Sequence, residues 1–286
     1  MVDNGVFCTD TASGEPTVTH VTPGGAAVSV MTSLDDVVFV ARSDNSQQID
    51  VYDTLTFTRQ RSLSVPGLRI AYGLAACAGN GCLYASDFTN DSIHRVVLSW
   101  SNAVTTWPAG RGPAGLSVNV SKNVLVAIRD ECKLQEFTTH GTLLRNIQLH
   151  SDIQGPTGVL ELPSGQVVVS HIGTRHRVCF LDVSGAVVRS YGGTPDSEPT
   201  RMKWPAGLAV DKHGNILVAD GYNNRLLVLD GSATSAREMT VSVDGGLTRL
   251  CCLWYDKSRD RLYIGERDGR RVIIINHLTD FTASQV

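Results

Sequence analysis

Eight cations of this chain fall in one kind of place, the turns and strand starts that follow a short apolar run: Arg129, Lys133, Arg175, Arg177, Arg225, Arg267, Arg270 and Arg271. Among them stand five carboxylates, Asp130, Glu131, Asp220, Glu266 and Asp268, so this set is positive by three while the whole chain is negative by three. A guanidinium fork matches phosphate and carboxylate oxygens, so the chemistry expected is electrostatic docking, onto a phosphate backbone or an acidic partner. Aromatic platforms for base stacking are few beside these cations, only Tyr222 and Phe88, which sets RNA behind protein as the expected partner. Elsewhere Arg42 and Arg95 are matched by Asp44, Asp87 and Asp91.

An architectural reading competes with docking. Arg225 and Arg271 each stand five residues after an acid, Asp220 and Glu266, and a charge pair that recurs with a repeat is first a building element. Arg175, Arg177, Arg267 and Arg270 read as lying outside that pattern and are the stronger docking candidates. The partner-binding set taken from the sequence is Arg129, Lys133, Arg175, Arg177, Arg225, Arg267, Arg270 and Tyr222.

Catalytic signatures are sparse. The eight histidines are scattered: His171 and His176 share one turn, His213 lies in a turn at the opposite end, and His20, His94, His140, His150 and His277 fall among strands and outer turns. No Gly-x-Ser-x-Gly elbow, phosphate loop or paired-histidine motif appears, so no catalytic residue, metal ligand or cofactor is expected.

What positions these residues is a repeat. Val30, Leu74, Leu116, Val159, Leu208 and Cys252 recur with a period of a little over forty residues, lengthened once by the insertion from Thr194 to Trp204. Each is followed by a second apolar run (such as Val124 to Ile128 and Ile216 to Ala219) and a third (Leu134 to Phe137 and Leu226 to Leu229). The runs are short, rich in Val, Ile, Leu and Tyr, and separated by Gly, Asn, Asp and Ser, which predicts strands rather than helices. A more polar fourth strand is expected at Thr58 to Val65, Leu143 to Leu149, Val187 to Tyr191 and Glu238 to Val243. Four-stranded antiparallel units of this length are blades of a β-propeller, and six anchors predict six.

The blades are expected near residues 25–65, 67–110, 111–150, 153–193, 201–243 and 245–281, forming one domain over 15–286 behind an extension at 1–14. A propeller must join its first and last blades or leave sheet edges open. The segment Thr17 to Val21 occupies an outer-strand slot with no blade of its own, so it is expected to complete blade six beside Val272 to Ile275. The tail from Phe281 to Val286 competes for that place.

Composition narrows the class. A net charge of −3 and a pI near 6.2 argue against a whole-surface nucleic-acid binder. The start, MVDNGVFCTD, lacks the charged and apolar regions of a secretory signal, so a soluble cytoplasmic protein, or a fragment of a longer one, is expected. Seven cysteines at irregular positions fit reduced thiols. Cys77 and Cys82 flank a turn, and two unpaired thiols are favoured over a bridge.

The wording of the repeat adds a resemblance. WPAGLAVDKHGNILVADGYNNRLLVLD, from Trp204 to Asp230, resembles the NHL repeat through Pro205, Gly207, Asp211, Gly214, Ala219-Asp220, Asn223 and Arg225. Weaker copies run from Gly112 to Phe137, Gly155 to Asp182 and Arg261 to Asn276, while blades one and two keep the apolar rhythm but lose the Pro-x-Gly step. The style of the repeats is similar to the C-terminal region of animal TRIM-NHL proteins. In that family RING and B-box modules supply ubiquitin-ligase chemistry and the propeller selects partners, some of them RNA. The resemblance implies a monomeric, non-enzymatic recognition module for a macromolecular partner, protein first and RNA second, with no membrane. The contrasting class is the metal-dependent hydrolases and lyases that also use six blades.

Overall fold

Tight turns built on a carboxylate set the strand boundaries. Asp211 Oδ1 accepts the amides of His213 and Asn215 at 2.8 and 2.9 Å, and Gly214 takes the left-handed conformation that closes the turn. Asp182 repeats the device with the amides of Ser184 and Ala186 around Gly185. A computed structural model describes residues 17–21, 27–99, 101–193, 202–233 and 235–278.

Within these residues the chain forms six four-stranded antiparallel sheets. After β1 (Thr17–Val21), blade one is β2 (Val28–Leu34), β3 (Val37–Arg42), β4 (Gln48–Asp53) and β5 (Arg59–Ser64). Blade two is β6 (Ala71–Cys77), β7 (Cys82–Asp87), β8 (Ser92–Val97) and β9 (Val104–Pro108). Blade three is β10 (Pro113–Val118), β11 (Val124–Ile128), β12 (Lys133–Phe137) and β13 (Leu143–Gln148). Blade four is β14 (Pro156–Glu161), β15 (Val167–His171), β16 (Arg177–Leu181) and β17 (Val187–Gly192). Blade five is β18 (Pro205–Val210), β19 (Ile216–Asp220), β20 (Arg225–Leu229) and β21 (Ala236–Met239). Blade six is β22 (Leu250–Asp256), β23 (Arg261–Glu266) and β24 (Val272–Asn276), completed by β1.

The closure is antiparallel, with Thr17 opposite Asn276 and Val21 opposite Val272. The N-terminal strand therefore fills the slot assigned to it, while the competing tail lies outside the described residues. One boundary differs from the sequence expectation: the outer strand of blade five begins at Ala236 and ends at Met239 rather than spanning Glu238 to Val243. Beyond it the Arg271 guanidinium takes the carbonyls of Asp244 and Gly246, so that backbone turns towards blade six.

Every inner strand carries a bulge at its start, for example between Pro113 and Leu116 and between Pro205 and Leu208. The glycine of the Pro-x-Gly step sits at this bulge, where adjacent inner strands nearly touch. A methyl group on Gly115 would lie 2.5 Å from the Thr157 carbonyl oxygen, and one on Gly207 would lie 2.6 Å from the Leu253 amide. Blades one and six place Val30 and Cys252 at the glycine's position, and the residues just before them, Ser29 and Cys251, donate to the carbonyls of Ala71 and Val28 in the next blade. The apolar core lies between blades rather than within them. Tyr84, Ile93 and Trp107 of blade two, for instance, pack on Leu116, Val126 and Phe137 of blade three. The six anchors Val30, Leu74, Leu116, Val159, Leu208 and Cys252 ring a central channel of about 270 Å³. Cys77 and Cys82 face each other across their hairpin as free thiols. No helix among the described residues is long and apolar enough to cross a membrane.

Candidate partner-binding face

An antiparallel meander returns to the same end at every second turn, so the turns after each second strand and the connections between blades share one face of the disc. The last residue of each second strand lies opposite the start of its inner strand. That position holds Arg42, Asp87, Ile128, His171, Asp220 and Glu266 in blades one to six.

Where it is acidic, it clamps the incoming connection. Asp87 accepts the Arg69 amide at 2.8 Å, Asp220 Oδ1 the Lys203 amide at 2.6 Å, and Glu266 the Thr248 amide at 2.6 Å. Asp220 Oδ2 also accepts Arg225 Nε and Asn223 Nδ2, each at 2.8 Å, and Glu266 accepts Arg271 Nε. Asp220 and Glu266 are fully buried, so these arginines and amides compensate desolvated charges. Arg225 and Arg271 are thus parts of the scaffold.

Arg177 belongs with them, which corrects its assignment to a place outside the pattern. It faces His171 across β15 and β16 as Arg225 faces Asp220, and it donates from Nε to His171 Nε2 at 3.0 Å. The turn of blade four is one residue longer, and that length hides the equivalence in the sequence. Burial first, and then the Arg177 charge, push the pKa of His171 down to about 4, leaving a neutral acceptor. Lys133 is the blade-three counterpart, opposite Ile128, and it pairs with Glu131 at 2.6 Å, whose other oxygen accepts the Arg111 amide.

One residue further along, the cations have a different situation. Arg129 follows Ile128, Arg267 follows Glu266, and both reach the mouth of the central channel. There they line a pocket of about 70 Å³ together with Tyr72, Thr157, Trp204 and Arg249. Among the described residues no carboxylate lines this pocket. Aromatic rings hold the guanidiniums: Arg129 lies 5.6 Å from the Phe88 ring centre and 5.5 Å from that of Trp204, and Arg249 lies 4.9 Å from Tyr222. Tyr72 stacks on Phe88 at 4.7 Å, and Trp204 meets Tyr222 edge-on at 5.3 Å. The result is a continuous run of rings and arginines at the mouth. Arg249 also reaches Asp268 at 3.3 Å, outside the pocket, and Tyr222 Oη at 2.9 Å. Arg175 and Arg270 are exposed at turn tips and do not line the pocket.

Tyr72, Trp204 and Arg249 were not found by sequence reasoning. A signal exists in the register: the residue before the inner strand is Gly112, Gly155, Trp204 and Arg249 in blades three to six, with φ of +66°, +59°, +65° and +43°. Two blades use glycine for this left-handed position and two place a large side chain there. Backbone strain of that kind gathers at functional sites. The Trp204 amide donates to His176 Nδ1 at 3.1 Å, which fixes its approach to the mouth. Among the described residues there is no group of three or more His, Cys, Asp or Glu placed to hold a metal ion.

Comparison with known proteins supports the repeat and the propeller fold. Residues 202–229 match the NHL repeat family. Over 123 residues, 41% of the chain, the sequence is 27% identical to the protein brain tumor of Drosophila melanogaster, of which the match spans only 11%. Among solved structures, virginiamycin B lyase from Staphylococcus aureus superposes with a TM-score of 0.66 at 10% identity, over 92% of this chain and 99% of that one. A chain of the nidogen/laminin complex superposes with a TM-score of 0.68 at 15% identity, over 85% of this chain and 90% of that one. At such identities the structural likenesses carry the fold alone, and that fold serves a lyase and a complex-forming protein alike.

Proposed function

We propose that this NHL-repeat β-propeller is a non-enzymatic recognition module that docks a protein partner on the face where the second-strand turns open. The observation that carries the reading is the channel mouth, where Arg129, Arg249 and Arg267 converge with no carboxylate among the described lining residues. Four of the other cations are bonded within the scaffold, whereas at the mouth Arg129 and Arg267 pair with no described carboxylate and Arg249 shares its charge with Asp268. Rigid turns on a rigid disc suit docking without rearrangement. The histidines favour no shared ion, since His171 and His176 sit at one end of the disc and His213 at the other.

RNA is the competing partner. Base stacking needs open ring faces, and here a guanidinium lies over one face of each of Phe88, Trp204 and Tyr222. Affinity purification with the wild-type chain and with Arg129→Glu/Arg267→Glu tests the reading. The expected result is a set of protein partners lost in the variant, with its melting temperature preserved. Recovery of the same partners by both chains sinks the proposed face. Tight binding of a mixed RNA pool that falls steeply with salt and vanishes in the variant replaces protein by RNA.

A further inference from the structure

We infer that the pocket at the channel mouth is a receptor for one phosphoryl group carried by a protein partner, a phosphoserine or phosphothreonine side chain. This rests on the protein-docking reading above and names the chemistry of the partner. Charge points first to phosphate. A phosphate monoester carries about −1.5 to −2 at neutral pH, which answers Arg129 and Arg267, with Arg249 shared with Asp268, better than one carboxylate does. Guanidinium forks also match its oxygens in pairs.

Size and surroundings point to a single group. The pocket, about 70 Å³ at the channel mouth, has room for a compact tetrahedral oxyanion. Its floor is the inner-strand bulges themselves, with Ser29 and Thr157 turning their hydroxyl hydrogens towards the carbonyls of Ala71 and Pro205. The guanidiniums are the charged donors that line the cavity. Of the cations around it, Lys133 is bonded to Glu131, Arg177 to His171, Arg225 to Asp220 and Arg271 to Glu266, and Arg175 and Arg270 stand apart at exposed turn tips. A nucleic-acid strand gains affinity from successive phosphates, and this pocket is one seat. Rings that clamp Arg129 from two sides hold the fork in place before the ligand arrives, which lowers the entropy lost on binding.

The test uses the full chain and four probes: a degenerate phosphoserine/phosphothreonine peptide pool, the same pool unphosphorylated, the pool with Glu at the central position, and a mixed RNA 20-mer pool. Binding of the phosphorylated pool at least tenfold tighter than of the other two peptide pools is expected. Arg267→Ala should remove that preference, because no described residue depends on its side chain, while Arg175→Ala should leave it intact. Equal binding of all peptide pools, still sensitive to Arg267, overturns the phosphoryl receptor and leaves the docking face standing. No binding of any peptide pool also overturns it. RNA bound more tightly than phosphopeptide through the same arginines overturns both readings.

Discussion

Arg177 donates to His171 at 3.0 Å in blade four, at the place where blade five sets Arg225 against Asp220. One blade thus presents a cation to a neutral buried base, and the next presents a cation to a buried acid. The difference gives blade four a pH liability that its neighbours lack.

The His171 pKa lies near 4 in the fold against about 6.5 in the open chain, so the unfolded state binds the proton first as pH falls. Stability is complete above about 6.5 and drains away between there and about 4, by as much as about 3 kcal/mol. Asp152 and His176, the nearby titrating groups, act weakly beside burial and Arg177. Thermal melts across this range should show the loss, and His171→Asp, which copies blade five, should abolish it. A wild-type melting temperature that stays flat from pH 7 to 4.5 contradicts this.

Arg249 takes φ of +43° at a position two other blades give to glycine. Relief of that strain is worth about 1 kcal/mol, close to what is lost with an exposed pair to Asp268 and a ring contact to Tyr222. Arg249→Gly should therefore melt within about 3 °C of wild type, although it removes a cation from the channel mouth. Differential scanning calorimetry decides it, and a fall of 8 °C or more makes Arg249 a structural residue.

Gly115 leaves no space for a methyl group against Thr157 and Gly158 of the next blade. Gly115→Ala must push two inner strands apart and should cost about 2–3 kcal/mol. Ser29→Gly, one residue before the matching place in blade one, loses one hydrogen bond to Ala71 and should cost about 1 kcal/mol. Chemical denaturation of the two variants gives the comparison, and equal costs contradict the close approach.

Removal of residues up to Val21 takes away β1, its ladder with β24 and the packing of Val18 on the core between blades five and six. A loss of about 3 kcal/mol or more is expected, equivalent to a melting temperature about 6–12 °C lower. An unchanged melt means that another segment closes the ring.

The fold was legible because a blade cannot bury its faces alone and the repeat must therefore be written into the chain several times. Leu74, Leu116 and Leu208 look alike in sequence because each lies opposite the same point of its second strand and lines one channel. The site was legible only in part. Arg129 and Arg267 could be chosen by type, but Arg177 resembled them until its partner His171 showed that it is a strut. Trp204 and Arg249 were hidden for another reason. They lie in connections of unequal length, where only the backbone conformation reveals that they replace Gly112 and Gly155.

The seam between β1 and β24 also sets a schedule. Val21 leaves the ribosome about 250 residues ahead of Val272, its partner. At roughly 5–20 residues per second the first strand waits on the order of 10–50 s for the last one to be made. Through that interval the nascent ring offers unpaired strand edges at its growing end, so translation pauses and chaperone supply should decide the yield of this protein more than its final stability does.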